Sequence, residues 1–532
     1  MYPTMANVDR WTLAYGVLAL IGATTLFNMA YNIFFHPLRS FPGPFWHRAS
    51  RLPFAWDAIR GNNARHMYDM HQKYGRVVRV GPNHLSFTDV QSWKDIYGHR
   101  TGAQHSQTPE HAKSTVFYRS IPNVAKHIIN ADRSEHTLLR RAMSHGFSDK
   151  SIRNQEVLIK RYVDLLVKRL HENCSDGEKP LNMVPWYNWT TFDIIGDLVF
   201  AESFGCLEEQ RYHPFVHMII KTIAVGGIRV FTGYLNLDFV ANFMMVISSF
   251  QRPFLELIEG MHVKLKKRLE NPVERDDLFE GLMKHRKDWA TPTRTTLTQT
   301  PQNLEMKSLQ SNAVIIVVAG SETTATLLSG VTYLLLSNPE AMEKLKHEVR
   351  STFKRADEIT FASAGKLQYM LACLNEALRH YPPAPINLVR DVAPGGAVIA
   401  GHAVPERTMV ESSQWAMYHD DEYWREPWAF KPERFLVDES TADGTEGEAR
   451  DMFEALQPFS YGPRNCIGRN LAYAEMRLIL ARIIFDFDLR LADDSKLWIE
   501  RQKTYGLWDK LPLNVYLTPV DHSATTPVPV AV

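Results

Sequence analysis

The sequence predicts a mainly helical protein with a small β-sheet region, preceded by one N-terminal transmembrane helix. Three observations lead to this fold class: a long uncharged run near the N-terminus, apolar residues that return every three or four positions, and only a few short strand-like stretches. Of the 532 residues, 45% are hydrophobic and 22% are charged, which is typical of a globular chain with a large core. The formal net charge of +1 excludes a general attraction to nucleic acid.

The uncharged run, residues 11–35, is long enough to cross a bilayer core as a helix. Basic residues follow it at Arg39, Arg48 and Arg51, whereas a cleavable signal peptide carries its basic residues before the apolar stretch. By the positive-inside rule, the C-terminal side of this span faces the cytosol. The expected division of the chain is a membrane anchor (1–35), a proline-rich hinge (36–62), a globular domain (63–520) and a flexible tail (521–532).

Helical periodicity dominates between about residues 63 and 381. Strand-like alternation is confined to short pieces, such as residues 75–87 and 395–413, where turn residues separate the alternating stretches. This balance predicts a helical body with a small sheet.

Residues 311–336 are apolar enough to form a second membrane span or the core helix of a large domain. The sequence AGSETT in the middle favours the core helix, because an ionisable side chain at bilayer depth is costly. Gly320 would allow a flat group to approach the backbone. A carboxylate at Glu322 beside the hydroxyl of Thr323 is costly in an apolar interior unless the two groups handle protons.

Cys466 lies in the sequence FSYGPRNCIG and is one of four scattered cysteines. The chain has no CxxC pair, which argues against a structural zinc site and against a secreted disulfide framework. Taken alone, Cys466 is compatible with four roles: a small buried hydrophobe, a nucleophile, a zinc ligand or a haem thiolate.

Four motifs occur in a fixed order: AGSETT at residues 319–324, EALR at 376–379, PERF at 432–435 and FSYGPRNCIG at 459–468. Their order and spacing resemble those of the cytochrome P450 family of haem-thiolate monooxygenases, and the resemblance spans nearly the whole chain. The phrases FHPLRSFPGP and WYNWTTFDIIGDLVFAESFG are similar to those of fungal microsomal members that act in secondary metabolism. The resemblance implies the cytochrome P450 fold, with residues 63–520 as its catalytic domain.

The same resemblance implies haem b as the cofactor, with Cys466 as the axial iron ligand. A thiolate ligand pushes electron density onto the iron and favours cleavage of the O–O bond. The haem propionates are assigned by resemblance to Arg464, Arg390, Arg140 and His136, and guanidinium groups suit carboxylates. His136 stands where the family usually has a tryptophan, and the neighbouring Arg141 is an alternative propionate partner.

Glu322 and Thr323 resemble the acid and alcohol pair that delivers protons while members of the family cleave dioxygen. Glu376, Arg379 and Arg434 resemble a structural ion network of the family, and such a network fixes geometry more reliably than it adds stability. Arg407 in VPERT occupies a position where the family often has glycine. Because a turn with positive φ disfavours arginine, we expect a different backbone there.

The predicted function is therefore insertion of one oxygen atom from O2 into an apolar small molecule, in fungal secondary metabolism. The chain has no glycine-rich nucleotide fingerprint, so electrons must come from another protein. By resemblance this is NADPH-cytochrome P450 reductase, with cytochrome b5 as a further candidate, and Arg469 and Arg477 are predicted contacts. The predicted location is the endoplasmic reticulum membrane, with a single span and the catalytic domain in the cytosol.

Two alternatives remain open at this point. One is a haem-thiolate isomerase, dehydratase or oxidative cyclase that acts on a similar substrate, and the other is a haem-binding sensor or carrier. Isomerases and dehydratases of this kind often lack the acid and alcohol pair, which this chain keeps at Glu322 and Thr323. A sensor or carrier needs neither that pair nor the apolar residues 211–250, which resemble the access helices of the family.

Overall fold

The computed structural model describes residues 10–99, 110–118, 125–237, 239–240, 243, 248–270, 275–284, 301–386, 388–436 and 451–522. The predicted tail, residues 521–532, falls outside this part except for its first two residues. Helices form most of the described chain and short strands form small sheets, which confirms the predicted fold class.

The described α-helices, in chain order, are α1 (Arg10–Phe34), α2 (Phe45–Ala49), α3 (Leu52–Arg60), α4 (Asn63–Tyr74), α5 (Gln91–Tyr97), α6 (Arg133–Ser144), α7 (Asp149–Asn173), α8 (Met183–Phe200), α9 (Cys206–Glu209), α10 (Pro214–Tyr234), α11 (Ser248–Glu270), α12 (Glu280–Lys284), α13 (Pro301–Ser337), α14 (Pro339–Thr352), α15 (Phe361–Ala364), α16 (Gln368–His380), α17 (Gln414–Tyr418) and α18 (Arg469–Asp486). The described strands are β1 (Val77–Gly81), β2 (His84–Phe87), β3 (Ala112–Lys113), β4 (Leu181–Asn182), β5 (Arg390–Asp391), β6 (Ala397–Ile399), β7 (His402–Val404), β8 (Met409–Ser412), β9 (Phe487–Leu491), β10 (Lys503–Thr504), β11 (Trp508–Asp509) and β12 (Asn514–Pro519).

Two described helices are long and apolar enough to cross a membrane, and they differ in burial. The window Trp11–Phe34 of α1 has none of its residues buried within the protein, whereas 67% of the window Met306–Ser337 of α13 is buried. An apolar helix surrounded by protein is a core helix. The structure therefore supports the core assignment for α13 and leaves α1 as the candidate membrane span.

Helix α13 packs against α8, in which all residues but Pro185 are buried. Gly320 lies at this contact, because a Cβ added to it would come within 2.8 Å of Ile195 Cδ1 on α8. The missing side chain therefore serves close packing of two helices. On the side where a Cβ atom would lie, Ile195 fills the space. Our expectation that a flat group can approach Gly320 is therefore wrong for that side.

The largest sheet has the strand order β1-β2-β8-β5-β3, with β2 and β8 parallel and the other pairs antiparallel. Smaller sheets are formed by β4-β12-β9, by β6-β7 and by β10-β11. In the large sheet, the register of β3 and β5 pairs Lys113 with Arg390. Two cationic residues that are far apart in the sequence thus become neighbours.

Arg407 precedes β8 and adopts a left-handed backbone, with a φ of +60°. Its N–H donates to Val392 O at 2.8 Å, and its carbonyl oxygen accepts from Asn83 Nδ2 at 2.8 Å. The turn that glycine would make is therefore kept, and the expectation of a different backbone is wrong. The two hydrogen bonds hold the arginine in a conformation that costs about 1 kcal/mol or more.

The end of α1 is fastened to the body of the protein. Fully buried Arg79 of β1 donates from Nη1 to Asn32 O at 2.9 Å and from Nε and Nη2 to Pro82 O. Asn32 Nδ2 in turn donates to Ala49 O of α2 at 2.9 Å. The C-terminal end of the candidate anchor therefore has a fixed attachment to the first strand.

Candidate active site

The loop that carries Cys466 runs from a short 3₁₀ turn, Gly462–Arg464, to the start of α18. Gly462 has a φ of +75°, and a Cβ on it would overlap the carbonyl oxygen of Tyr97 at the end of α5. Glycine is therefore required at this position by both backbone conformation and space. The N–H of Cys466 donates to Phe459 O at 2.8 Å, which closes the loop.

Cys466 has an accessible surface, yet its environment is strongly desolvated. Burial raises the pKa of its thiol, while the N–H of Gly468 and the charge of Arg140 lower that pKa. An accessible residue in a desolvated environment lines an internal cavity. The other three cysteines are buried, so Cys466 is the cysteine available to a ligand.

A second opening lies in the middle of α13, where buried residues alternate with partly exposed ones. Ala319 is exposed and Thr323, one turn later, is half-buried. The Thr323 hydroxyl donates to Ala319 O at 2.6 Å, so its lone pairs remain available to accept hydrogen bonds. Helix α13 also packs against α18, which begins just after the cysteine loop.

Glu322 faces a different direction from Thr323. Its side chain is 3% exposed and forms an ion pair with Lys510, whose side chain is 4% exposed. The same ammonium group donates to Thr326 Oγ1 at 2.8 Å, one turn further along α13. The structure thus separates the two predicted members of the acid and alcohol pair: Thr323 borders the opening, and Glu322 is sealed behind it.

A group of five cationic or basic side chains surrounds the approach to the cysteine loop, and we call it the cation cluster: Lys113, His136, Arg140, Arg390 and Arg464. Arg464 donates from Nη1 to Ala131 O at 2.9 Å and pairs through Nε with Glu110 Oε1 at 2.6 Å. Arg140 donates to the carbonyl oxygen of Asn465 and to its Oδ1, the latter at 2.7 Å. The adjacent Arg141 is exposed.

The positive charges in the cation cluster lower the pKa values of its titratable members. Burial, together with Arg464, Lys113 and Arg140, lowers the pKa of His136 to about 4. Burial, together with Arg390 and Arg464, lowers the pKa of Lys113 to about 6. Protonation of these buried groups is unfavourable without a counter-charge, and a bound anion would stabilise their charged forms.

The residues of the cluster fit a haem with its two carboxylates. Arg390 is 3% exposed, and its Nη1 has no hydrogen-bond partner among the described residues. Glu110 is the one carboxylate bonded to the cluster in the part of the chain that the structure describes. Buried cations without matching anions are costly, and a dianionic cofactor next to a cysteine sulfur removes that cost.

The predicted ion network is assembled as a closed network, a name we use for Glu376, Arg379, Arg434 and Asp451. Both oxygens of Glu376 accept from Arg379, at 2.8 and 2.9 Å, and Arg434 Nε lies 3.2 Å from Glu376 Oε2. Arg434 also pairs with Asp451 at 2.7 Å. Arg379 completes its bonding with three carbonyl oxygens, those of Tyr418, Pro427 and Ala429.

Sequence reasoning identified the residues of the cation cluster that lie in recognisable motifs, and it missed Lys113, Glu110 and Lys510. Lys113 joins the cluster through the β3–β5 register, which a propensity pattern for a two-residue strand does not reveal. Lys510 reaches Glu322 from the segment between β11 and β12. A single buried lysine near the end of the chain carries no sequence signal of its partner.

Comparison with known proteins agrees with this geometry. The family model described as "Cytochrome P450" matches residues 41–515. The chain is 46% identical to "Cytochrome P450 monooxygenase tpeC" of Talaromyces stipitatus, with 97% of each chain covered. It is 42% identical to "Trichothecene C-15 hydroxylase" of Fusarium sporotrichioides, covering 97% of this chain and 100% of the relative. It is 41% identical to "Averantin hydroxylase" of Dothistroma septosporum, covering 95% and 90%.

Proposed function

The chain belongs to the cytochrome P450 family, and from that premise we propose that it inserts one oxygen atom from O2 into an apolar small molecule of fungal secondary metabolism. It is an oxidoreductase of the monooxygenase class, its cofactor is haem with a cysteine thiolate ligand, and a reductase supplies its electrons. Relatives named as monooxygenases and hydroxylases favour this function over an isomerase, dehydratase or oxidative cyclase, and over a sensor.

We assign Cys466 as the axial ligand and the haem propionates to Arg464, Arg390, Arg140 and His136. When bound, a haem with a thiolate ligand supplies activation of dioxygen, since the thiolate favours cleavage of the O–O bond. The observation that carries the assignment is the joint placement of an accessible but desolvated cysteine and a buried cluster with too few anions. Arg140 is preferred to Arg141 because Arg141 is exposed.

Thr323 and Glu322 are proposed to handle protons during the reaction. The Thr323 hydroxyl borders the opening in α13, and because its own proton is donated to Ala319 O, its oxygen is available there as an acceptor. Glu322 is the nearest carboxylate in the sequence, and a positioned carboxyl group is an effective proton donor and acceptor. We expect Thr323→Ala to bind haem normally and to divert NADPH consumption towards hydrogen peroxide.

The test of the haem assignment is the absorption band that reduced, carbon monoxide-treated members of the family give. The full-length protein in a microsomal preparation should give this band, and Cys466→Ala should abolish it. Cys373→Ala is the matched control, because Cys373 is buried in α16 away from the cysteine loop. A band that survives in Cys466→Ala would overturn the assignment of the ligand.

The substrate is proposed from the names of relatives and from the apolar character of the chain near the site. One relative is named for hydroxylation of a trichothecene at C-15 and another for hydroxylation of averantin, so hydroxylation is the reaction we propose first. Ile386, at 39% exposure, is a large apolar side chain exposed between α16 and β5, and we propose it as a substrate contact. A strain that lacks the protein should accumulate a metabolite with one oxygen atom fewer than its normal product.

The membrane arrangement is part of the same proposal. We propose that α1 spans the endoplasmic reticulum membrane once, that the catalytic domain faces the cytosol, and that the reductase is NADPH-cytochrome P450 reductase, with cytochrome b5 as a further donor. Exposed Arg469 at the start of α18 is a candidate contact for that partner. Protease added to intact microsomes should degrade the catalytic domain, whereas protection of that domain would reverse the orientation.

A further inference from the structure

A second polar group, separate from the cation cluster, lies where the segment between β11 and β12 crosses α8 and α13. Its centre is the ammonium group of Lys510, which contacts three side chains. Lys510 Nζ donates to Glu322 Oε1, to Thr326 Oγ1 at 2.8 Å and to Asn188 Oδ1 at 3.4 Å. All three contacts come from helices of the core, so this lysine is drawn inward from a chain segment near the C-terminus.

This ion pair is poor evidence for a purely stabilising role. Both side chains are almost completely buried, and the cost of removing two charges from water usually cancels their attraction. Two apolar side chains of similar size would stabilise the fold about as well. The pair is therefore better explained by the effect of Lys510 on the carboxylate of Glu322, which is the residue proposed to handle protons.

The bonding of Glu322 is one-sided. Oε1 is held by Lys510, whereas Oε2 is buried and has no hydrogen-bond partner among the described residues. An unpartnered carboxylate oxygen in the interior accepts a water molecule or a proton. Lys510 thus fixes the carboxylate through Oε1 and leaves Oε2 without a partner among the described residues.

From this geometry we infer that Lys510 is a positioning residue for proton delivery: it holds Glu322 as an anchored base whose free oxygen takes up protons from solvent. The inference rests on the proposed function of Glu322. Insertion of one oxygen atom from O2 consumes two protons and the two electrons that the reductase supplies, and it releases the second oxygen atom as water. In this inference each of the two protons passes through Glu322 Oε2 and leaves in that water, so atoms and charge balance.

The surroundings of Glu322 contain few other groups that titrate. Tyr212 and Tyr381 are the remaining titratable side chains whose electrostatics involve Glu322 in the described part of the chain. Tyr212 accepts a hydrogen bond from Asn188 Nδ2 at 3.1 Å, so it also braces the amide that contacts Lys510. Burial raises the pKa of both phenols further above neutrality, and neither competes for protons there.

The first test needs no turnover and uses the full-length, haem-loaded protein. Lys510→Met leaves a buried carboxylate without its cation, and such a carboxylate binds a proton. Infrared difference spectra should therefore show a new protonated-carboxyl band in Lys510→Met that is missing from wild type and from the double variant Lys510→Met with Glu322→Gln. Absence of the band from Lys510→Met would overturn the inference.

The second test measures product formation and its pH dependence. Lys510→Met should slow product formation on the order of tenfold or more, since a positioned acid or base contributes about 100-fold or more. The variant should also acquire a pH dependence near neutrality that wild type lacks, and Lys510→Arg, which keeps the charge, should restore most of the rate. Lys496→Met is the matched control, because Lys496 is an exposed lysine of the C-terminal region paired with Asp493.

The outcomes separate this inference from the proposed function. If Glu322→Gln slows the reaction and Lys510→Met behaves like Lys496→Met, the role of Lys510 is wrong and that of Glu322 stands. If Glu322→Gln itself leaves rate and peroxide yield unchanged, the proposed role of Glu322 fails, and Lys510 has nothing to position.

Should Lys510→Met not load haem, Thr326→Val removes one partner of the ammonium with little change of shape. It should slow the reaction in the same direction, and an unchanged rate would count against the inference.

Discussion

The closed network and the cation cluster are both rich in buried arginine, and they differ in how completely their charges are matched. In the closed network, Arg379 and Arg434 share the Glu376 carboxylate, Arg434 also has Asp451, and backbone carbonyls take the remaining N–H groups of Arg379. In the cation cluster, Arg390 has an N–H group without a partner, and Glu110 is the one bonded carboxylate among the described residues.

This difference shows how a folding network is distinguished from a binding site when both contain the same residue type. A network in which each buried arginine already has a carboxylate at ion-pair distance gains little from a further anion. A buried cluster with spare donors and mutually lowered pKa values is stabilised by an anion from outside. The predictions below test this contrast, in order of decreasing effect.

The largest effect is expected for Glu376→Gln. Loss of this carboxylate leaves Arg379 and Arg434 buried without their shared partner, which costs about 3–5 kcal/mol of unfolding free energy. The yield of folded, haem-containing protein should fall to a small fraction of wild type. Glu433→Gln is the control, because Glu433 pairs with Lys344 at the surface, where solvent screening leaves such a pair with little effect on stability. Normal stability of Glu376→Gln would show that the network is not closed.

Arg390→Met should weaken haem binding without weakening the fold. Loss of a hydrogen bond to a charged group costs about 1.5–3 kcal/mol, so haem should dissociate about 10- to 100-fold faster. Transfer of haem to an excess of apomyoglobin measures this rate. The unfolding free energy of the haem-free protein should be unchanged or higher, because the variant removes a buried charge that lacks a partner. Equal dissociation from Arg390→Met and from the control Arg141→Met would contradict the propionate assignment.

The contribution of Lys113 to haem binding should appear as a dependence of haem affinity on pH. Its pKa is lowered to about 6 by burial and by Arg390 and Arg464, and a bound carboxylate raises that pKa again. The contribution of Lys113 to haem affinity is therefore fully present below pH 6. As the pH rises through the raised pKa of Lys113, this contribution to haem affinity is lost, by up to about tenfold per pH unit.

The comparison between wild type and Lys113→Met isolates this effect. The thiol of Cys466 releases a proton when it binds iron, and it does so equally in both proteins. The ratio of their haem dissociation rates should be largest near pH 6 and should approach one at high pH. A ratio that does not change with pH would remove Lys113 from the cation cluster.

The smallest effect is expected for Glu110→Gln, which removes a carboxylate from the cation cluster just as Glu376→Gln removes one from the closed network. With haem bound, its propionates replace Glu110 as partners of Arg464, so the dissociation rate should change by no more than a few-fold. Thermal unfolding of the loaded variant should follow that of wild type. If Glu110→Gln instead prevented folding, the two regions would be alike and the contrast drawn here would be wrong.

The parts of the molecule that the sequence predicts are those with a local signal. The long apolar run interrupted by AGSETT predicts α13 and its place in the core, and the spacing of EALR places Glu376 and Arg379 on one helical face. The cysteine loop also has a local signal, because Gly462 begins a short turn and Cys466 follows two residues after that turn ends. These elements depend on interactions between residues that are close in the chain.

The parts that escape prediction depend on tertiary contacts. Lys510 meets Glu322 because a C-terminal segment crosses the core, and no pattern within either segment contains that information. Gly320 is small because of Ile195 on α8, although its neighbours in the sequence suggested clearance for a ligand. Arg407 keeps a glycine-like turn because two hydrogen bonds offset the strain. In each case the deciding contact is tertiary, and the local sequence contains no signal of it.

The attachment of α1 through Arg79 and Asn32 has a practical and a physical consequence. Cutting the chain after Phe35 to obtain a soluble form would remove Asn32 and expose the donors of Arg79, so a cut before Asn32 should give the better-behaved protein. In a bilayer, a helix that does not match the hydrocarbon thickness tilts. Because the C-terminal end of α1 is bonded to β1, we expect that, if α1 spans a bilayer, its tilt would change the orientation of the rest of the protein relative to the membrane. Bilayer thickness would then influence that orientation.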